Sequence, residues 1–177
     1  MMRILNSYAF LFIHLTENLG VPTGNIGIWA AFLAGIEIPF FILTDRILPI
    51  IPTKYIYIGA SLGMAVFVFL LGVVPASILL VLLIAFRGVV WPLLHLSSFT
   101  IVSEISKKNN LATNQAIMQV TMPSIAVLLT GSAYGWIFDH LGAYTFFALS
   151  ALSVATGAAI VMVFYRLFDV PNTETIG

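Results

Sequence analysis

Cysteine is absent from this chain of 177 residues, and charged residues make up only 8% of it. Without cysteine the chain forms no disulfide, no thiolate nucleophile and no cysteine-ligated metal site. Basic and acidic residues balance at seven each and no basic tract occurs, so we expect no nucleic-acid partner. Soluble domains carry roughly 25% charged residues. Since 60% of the residues here are hydrophobic, the composition predicts an integral membrane protein that lies in a lipid bilayer.

Enzyme signatures are also missing. The sequence contains no H-E-x-x-H metal motif, no phosphate-binding P-loop and no dinucleotide fingerprint. The run Gly131–Gly135 (GSAYG) is only superficially similar to a G-x-S-x-G nucleophile elbow, because its serine is one place off. We interpret this run as a small-residue packing face between helices. The sequence therefore predicts neither an enzyme nor a bound cofactor or metal ion.

Long apolar runs bounded by glycine, proline or charge predict six membrane segments. They cover residues 4–15, 26–43, 55–74, 77–104, 112–138 and 144–165. The first run is short, since a complete crossing needs roughly 20 apolar residues. We therefore predict an all-α membrane protein: a single six-helix transmembrane bundle over residues 1–168 with a truncated first helix, followed by a polar tail over residues 169–177.

The positions of lysine and arginine predict the orientation of these segments, because both are enriched in short cytoplasmic loops. Outside the spans they are Arg3, Arg46, Lys54, Lys107, Lys108 and Arg166. In a six-segment topology all of them fall on one side of the membrane. We accordingly expect a multi-pass protein of the cell (inner) membrane with both termini in the cytoplasm.

Two spans carry an opposite charge near the middle of the membrane. Arg87 lies ten residues after Ser77, which at about 1.5 Å per residue puts it about 15 Å deep. Glu37 lies twelve residues after Asn25, about 18 Å along its own helix. Charged residues at this depth are costly and usually face a bundle interior or a wet cavity, with a partner nearby. The matching depths indicate that these two side chains pair, or that Glu37 is neutralised by a proton.

Further polar and aromatic groups share the same region. Arg87, Trp91 and His95 are spaced four residues apart, which places them on one helix face. Gln119 is the deepest polar residue at the start of the fifth span. With Glu37, these residues form our predicted substrate or proton site: a cation, an aromatic wall and a group that titrates near neutral pH.

Structural alternatives compete with each of these assignments. The Glu37–Arg87 pair is also consistent with a lock between two helices, His95 with a helix-bridging hydrogen bond, and Trp91 with packing. Pro123 is predicted to kink the fifth span, a feature that transport hinges use but that ordinary membrane helices also tolerate.

Short motifs along the chain resemble the major facilitator superfamily of transporters. The run Ala34–Pro39 (AGIEIP) is similar to the eighth helix of bacterial sugar-efflux members and, more distantly, of sugar–proton symporters. Asp45, Arg46 and Lys54 fall where the family has a basic cytoplasmic loop between helices eight and nine. The run Gly135–Asp139 (GWIFD) resembles the end of helix eleven.

This resemblance implies that the six segments are helices seven to twelve, the C-terminal half of a transporter. Such transporters rock one half against the other around a midplane site. The chain would then be part of a longer protein, or pair with an N-terminal six-helix half or with a second copy. We expect it to transport a small polar solute, a sugar or related metabolite, with proton coupling as an option. The alternative is a non-transporting membrane protein in which Glu37 and Arg87 only fix helix packing.

Overall fold

The computed structural model describes residues 13–18, 20, 22–74 and 78–164. Within those ranges every regular element is a helix. The five α-helices are α1 (Ile26–Ile47), α2 (Thr53–Leu71), α3 (Ile78–Ile105), α4 (Leu111–Ala116) and α5 (Met122–Phe164), with shorter π and 3-10 turns at His14–Asn18, Thr23–Asn25, Lys108–Asn110 and Ile117–Thr121. The all-α prediction is confirmed.

Three helices of the described part are long and apolar enough to cross a membrane: Thr53–Leu71, Leu79–Ile105 and the continuous stretch Lys108–Val163. The last has 56 residues, which would extend about 84 Å if straight, more than twice a bilayer core of about 30 Å. It is not straight, because the backbone leaves the helical region at Gly142 (φ 80°, ψ 163°). The stretch therefore contains the predicted fifth span, which begins in α4, and the predicted sixth span as far as Val163, on either side of Gly142.

The six-helix bundle is not confirmed. Five α-helices stand in the described ranges, while most of the first predicted segment, 4–15, and the whole tail, 169–177, lie outside them. The division into a bundle over 1–168 and a tail over 169–177 stays a prediction.

The structure places the three charged residues of the predicted cytoplasmic loop in the end turns of two helices. Asp45 and Arg46 lie in the last turn of α1, and Lys54 lies in the first turn of α2. The true connection is only five residues long and holds Pro49 and Pro52. Pro52 is the N-cap of α2 with an extended ψ of 126°, so proline geometry rather than the charged residues sets where the helix begins.

The predicted fifth span is not one continuous α-helix. A π-helix over Ile117–Thr121 separates α4 from α5, and the Met122 N–H donates to the Ile117 carbonyl five residues back. The next residue is Pro123, which has no N–H to give to the carbonyl of Gln119 four residues before it. The widened turn immediately before the proline accommodates this missing donor.

Helix packing places α2 between α3 and α5, and α1 against α3. The buried core is apolar and is built around Met64, Val68 and Leu94 together with an aromatic cluster from α5. In that cluster the Phe146 ring meets Tyr134 and Phe138 edge to face, with centroids 5.7 and 5.5 Å apart. These contacts tie the two arms of α5 together across Gly142, so the bend is held by packing on both sides.

Replacing Gly142 by alanine tests the bend. Its φ and ψ lie in a region that only glycine populates readily, so Gly142→Ala should cost about 1–3 kcal/mol of unfolding free energy. An added Cβ would meet no atom within 4 Å, so the cost is confined to the backbone. Gly157→Ala is the matched control, since Gly157 is helical, lies in the same α5 and is equally uncrowded. Denaturant unfolding in detergent micelles measures both; equal stabilities would contradict the bend.

Candidate functional site

A buried ion pair joins α1 to α3. Arg87 Nη1 of α3 donates to Glu37 Oε1 of α1. The Arg87 side chain is only 3% exposed, whereas Glu37 keeps 19% of its surface accessible. In an apolar setting each charge offsets the desolvation cost of the other. Glu37 is therefore the more accessible partner of the pair.

Gly88 makes this pairing possible and was missed by the sequence analysis. A Cβ at Gly88 would overlap the Ile36 side chain, and the Glu37 backbone nitrogen lies 3.8 Å from the same point. The backbones of α1 and α3 therefore approach closely beside the two charges, as small residues allow in membrane helices. The signal available in the sequence was the glycine directly after a mid-membrane arginine.

The rings of Trp91, His95 and Phe41 extend the site toward the Lys54 end of the bundle, and we call these three rings the ladder. The Arg87 Cζ atom lies 5.3 Å from the centre of the Trp91 ring. Trp91 stacks on His95 with centroids 5.8 Å apart and planes inclined by 26°. Phe41 of α1 meets the edge of His95 at 6.1 Å. The one-face placement of Arg87, Trp91 and His95 is thus seen in the structure as direct ring contacts, and Phe41 is an addition to it.

Prolines interrupt both helices at the level of the site. Pro39 lies inside α1 and Pro92 inside α3. Each stands four residues after a glycine, Gly35 or Gly88, whose carbonyl consequently lacks its helical N–H donor. Both helices that carry the ion pair therefore lack one backbone hydrogen bond within about one turn of it. Bending of each helix costs least at that point.

Gln119 lies in a different element, the π-helix Ile117–Thr121. One turn earlier, Gln115 Nε2 donates to the Phe99 carbonyl at 2.9 Å and to Ser103 Oγ at 3.1 Å. That anchor holds the segment against α3. Both amide atoms of Gln119, and Nδ1 of His95, are buried without a hydrogen-bond partner among the described residues. Such groups are suited to bind a hydrogen-bonding solute.

The remaining predicted residues lie away from the ion pair along the chain. Pro123 is buried and follows the π-helix directly. Asp45, Arg46 and Lys54 occupy helix ends, where Lys54 Nζ lies 5.6 Å from the Tyr55 ring centre. No cluster of three potential metal-ligating side chains occurs in the described ranges.

Three apolar helical stretches of membrane-spanning length, one of them joined to α1 by the Glu37–Arg87 pair, indicate an integral membrane protein. The model of the MFS_1 like family matches residues 2–149. The chain therefore belongs to this family and is related to the major facilitator superfamily, which points to a transporter rather than an enzyme. Neither the curated proteins nor the solved structures gave a match.

Replacing Gly88 by alanine tests the close helix approach. Gly88→Ala places a methyl group into the Ile36 side chain, and overpacking of this kind costs about 1–3 kcal/mol of unfolding free energy. Gly35→Ala is the control, because Gly35 lies on α1 near Glu37 with nothing within 4 Å of the added Cβ. Thermal unfolding in detergent compares the two variants. If Gly88→Ala unfolds at the same temperature as Gly35→Ala, the tight contact does not support the ion pair.

Proposed function

We propose that this chain is the C-terminal, six-helix half of a transporter that moves a small polar solute, a sugar or related metabolite, across the cell inner membrane. It works by alternating access against an N-terminal half or a second copy, with both termini in the cytoplasm. Membership of a transporter-related family supports the class. The observation that carries the proposal is the ion pair of Glu37 and Arg87 between α1 and α3.

The pair is suited to switching because its two members differ in accessibility. Arg87 is buried and carries the guanidinium of the pair. Glu37 is partly exposed, so it exchanges partners more easily. When a proton neutralises Glu37, or a solute hydroxyl accepts from the guanidinium, the attraction between α1 and α3 weakens. Binding is thereby coupled to the relative position of the two helices.

The ladder supplies the wall of the solute site in this proposal. Trp91 and Phe41 offer apolar ring surface, while His95 Nδ1 and the Gln119 amide offer unsatisfied hydrogen-bonding atoms. A sugar presents the complementary mixture of C–H faces and hydroxyl groups. A fully apolar ligand would leave the buried polar atoms unsatisfied, at a cost of about 1–3 kcal/mol each.

Bending is available close to the site. Pro39 and Pro92 each remove one backbone hydrogen bond in the helices that carry the pair. Pro123 follows the π-helix that holds Gln119. Alternating access requires that helices around a midplane site change shape or tilt, and these three prolines supply hinges in the three segments that bear the site residues.

A non-transporting role is the second candidate, and one observation favours it. The tight contact at Gly88 and the near-complete burial of Arg87 are also what a static helix lock needs. In that case Glu37 and Arg87 fix α1 on α3 and no solute influences them. The two candidates differ in whether solute and pH affect the pair.

A transport assay with Glu37→Gln separates them. In membrane vesicles from cells that express the complete protein, solute-driven proton movement should fall roughly tenfold, because glutamine keeps an acceptor for Arg87 but loses the negative charge, which contributes about 1–1.5 kcal/mol to the hydrogen bond. The pH dependence of uptake should flatten, because glutamine does not titrate.

Glu17→Gln is the matched control for this experiment, since Glu17 is exposed in the His14–Asn18 turn and far along the chain from the pair. It should transport like the unmodified protein. Unchanged uptake and pH profile in Glu37→Gln, in a variant that is present in the membrane at normal levels, would leave the static lock as the better account.

A further inference from the structure

A histidine is buried at the end of α2 opposite Lys54, away from the ion pair. His14 begins the turn His14–Asn18 and is only 5% exposed. Its neighbour Leu15 is 1% exposed and belongs to the apolar core. Buried side-chain nitrogen atoms normally have hydrogen-bond partners, so the contacts of this ring determine what it can do. Neither the proposed transport nor the ladder uses it.

Two helices enclose the His14 ring. The ring donates a hydrogen bond to the carbonyl of Leu71, the last residue of α2. It also meets Phe147 of α5 edge to face, with ring centroids 5.0 Å apart and planes inclined by 70°. The two helices touch beside it, because a Cβ at Gly72 would lie 2.9 Å from the Phe147 Cβ atom. The ring therefore lies in a closely packed contact between the end of α2 and α5.

One nitrogen of this ring has no partner. His14 Nδ1 is buried without a hydrogen-bond partner among the described residues. In a neutral imidazole one nitrogen donates and the other only accepts, so the donor serves Leu71 and Nδ1 keeps its lone pair. When a proton binds, Nδ1 becomes a second donor that faces no acceptor. Burial of a charged and unsatisfied group is costly, so protonation opposes the packing of His14 in this contact.

The groups around the ring offer little compensation for a positive charge. Residues 64–71 of α2 contain no titratable side chain. The turn itself and residues 135–163 of α5 hold four titratable groups, all of them exposed: Glu17, Asp139, His140 and Tyr144. The negative end of the α2 dipole favours a cation near Leu71, but this effect is smaller than the cost of burying an unpaired charge. The neutral ring is therefore the form that fits.

We propose that His14 is a proton-binding residue that keeps the turn His14–Asn18 packed on α2 and α5 only while its ring is neutral. At neutral pH the ring lies between Leu71 and Phe147. When it takes up a proton, the turn leaves this contact, and the end of α2 opposite Lys54 loses a packing partner. Histidine ordinarily changes charge near pH 6.5, so the turn is released as the pH falls below about that value. The inference does not depend on the transport proposal.

Cysteine labelling tests the release directly, because the chain contains no cysteine of its own. Leu15→Cys and Leu71→Cys each place one thiol beside His14, from the turn and from α2, at positions 1% exposed. The complete protein is reconstituted in nanodiscs and reacted with a water-soluble maleimide between about pH 7.5 and about pH 5. Rates are divided by those of Asp139→Cys, an exposed position, because thiol reactivity itself falls with pH. Both normalised rates should rise roughly tenfold or more as the pH falls, since one coupled proton changes an equilibrium up to about tenfold per pH unit.

Further variants show whether His14 is responsible. When His14→Gln is added to Leu15→Cys, the normalised rate should no longer depend on pH. His140→Gln is the matched control, because His140 is the histidine of α5 and is exposed; the rise should persist there. Val68→Cys, at a position 0% exposed in the middle of α2, should stay unlabelled throughout. A flat rate for Leu15→Cys, a rise that survives His14→Gln, or an equal rise for Val68→Cys would overturn the proposal.

Discussion

The structure depends on one electrostatic constraint: an arginine buried in the membrane interior must have a partner. Arg87 meets that requirement with Glu37, and the two helices that carry them are held together at that level. Gly88 is part of the same constraint, because any side chain there would push α1 away from α3. A buried pair of this kind adds little net stability, yet loss of one partner is costly. It therefore specifies how the two helices meet more than it strengthens the bundle.

The other features of the site depend on this contact. Trp91, His95 and Phe41 continue it along both helices, so one row of interactions runs from a charge pair to a ring stack. Prolines in the same helices remove backbone hydrogen bonds near the pair. A strong local attraction between two bendable helices is the arrangement that a two-state transporter needs, since a change in that attraction alters the balance between helix positions. The family to which the chain belongs is consistent with such a role.

Sequence reasoning identified the features that periodicity and depth determine. The all-helical class and the four-residue row of Arg87, Trp91 and His95 both emerge from helix geometry alone, and the shared depth of Glu37 and Arg87 matches the contact seen in the structure. It failed where contacts with a neighbouring helix or local backbone hydrogen bonds determine the structure. Asp45 and Lys54 look like loop residues because they are charged, yet they lie within helix ends set by Pro52 and the caps. Gly88 and the π-helix at Gln119 depend on contacts that no single-helix pattern contains.

The most direct test of this account exchanges the two charges. The free energy of unfolding is measured for Glu37→Arg, for Arg87→Glu and for the double variant. The account predicts that each single variant loses about 3–5 kcal/mol, since it leaves like charges together in the interior. The double variant should recover most of that loss while transport stays impaired, because the titratable group has moved to the less accessible position. A double variant no more stable than the single ones would contradict the claim that this pair holds α1 on α3.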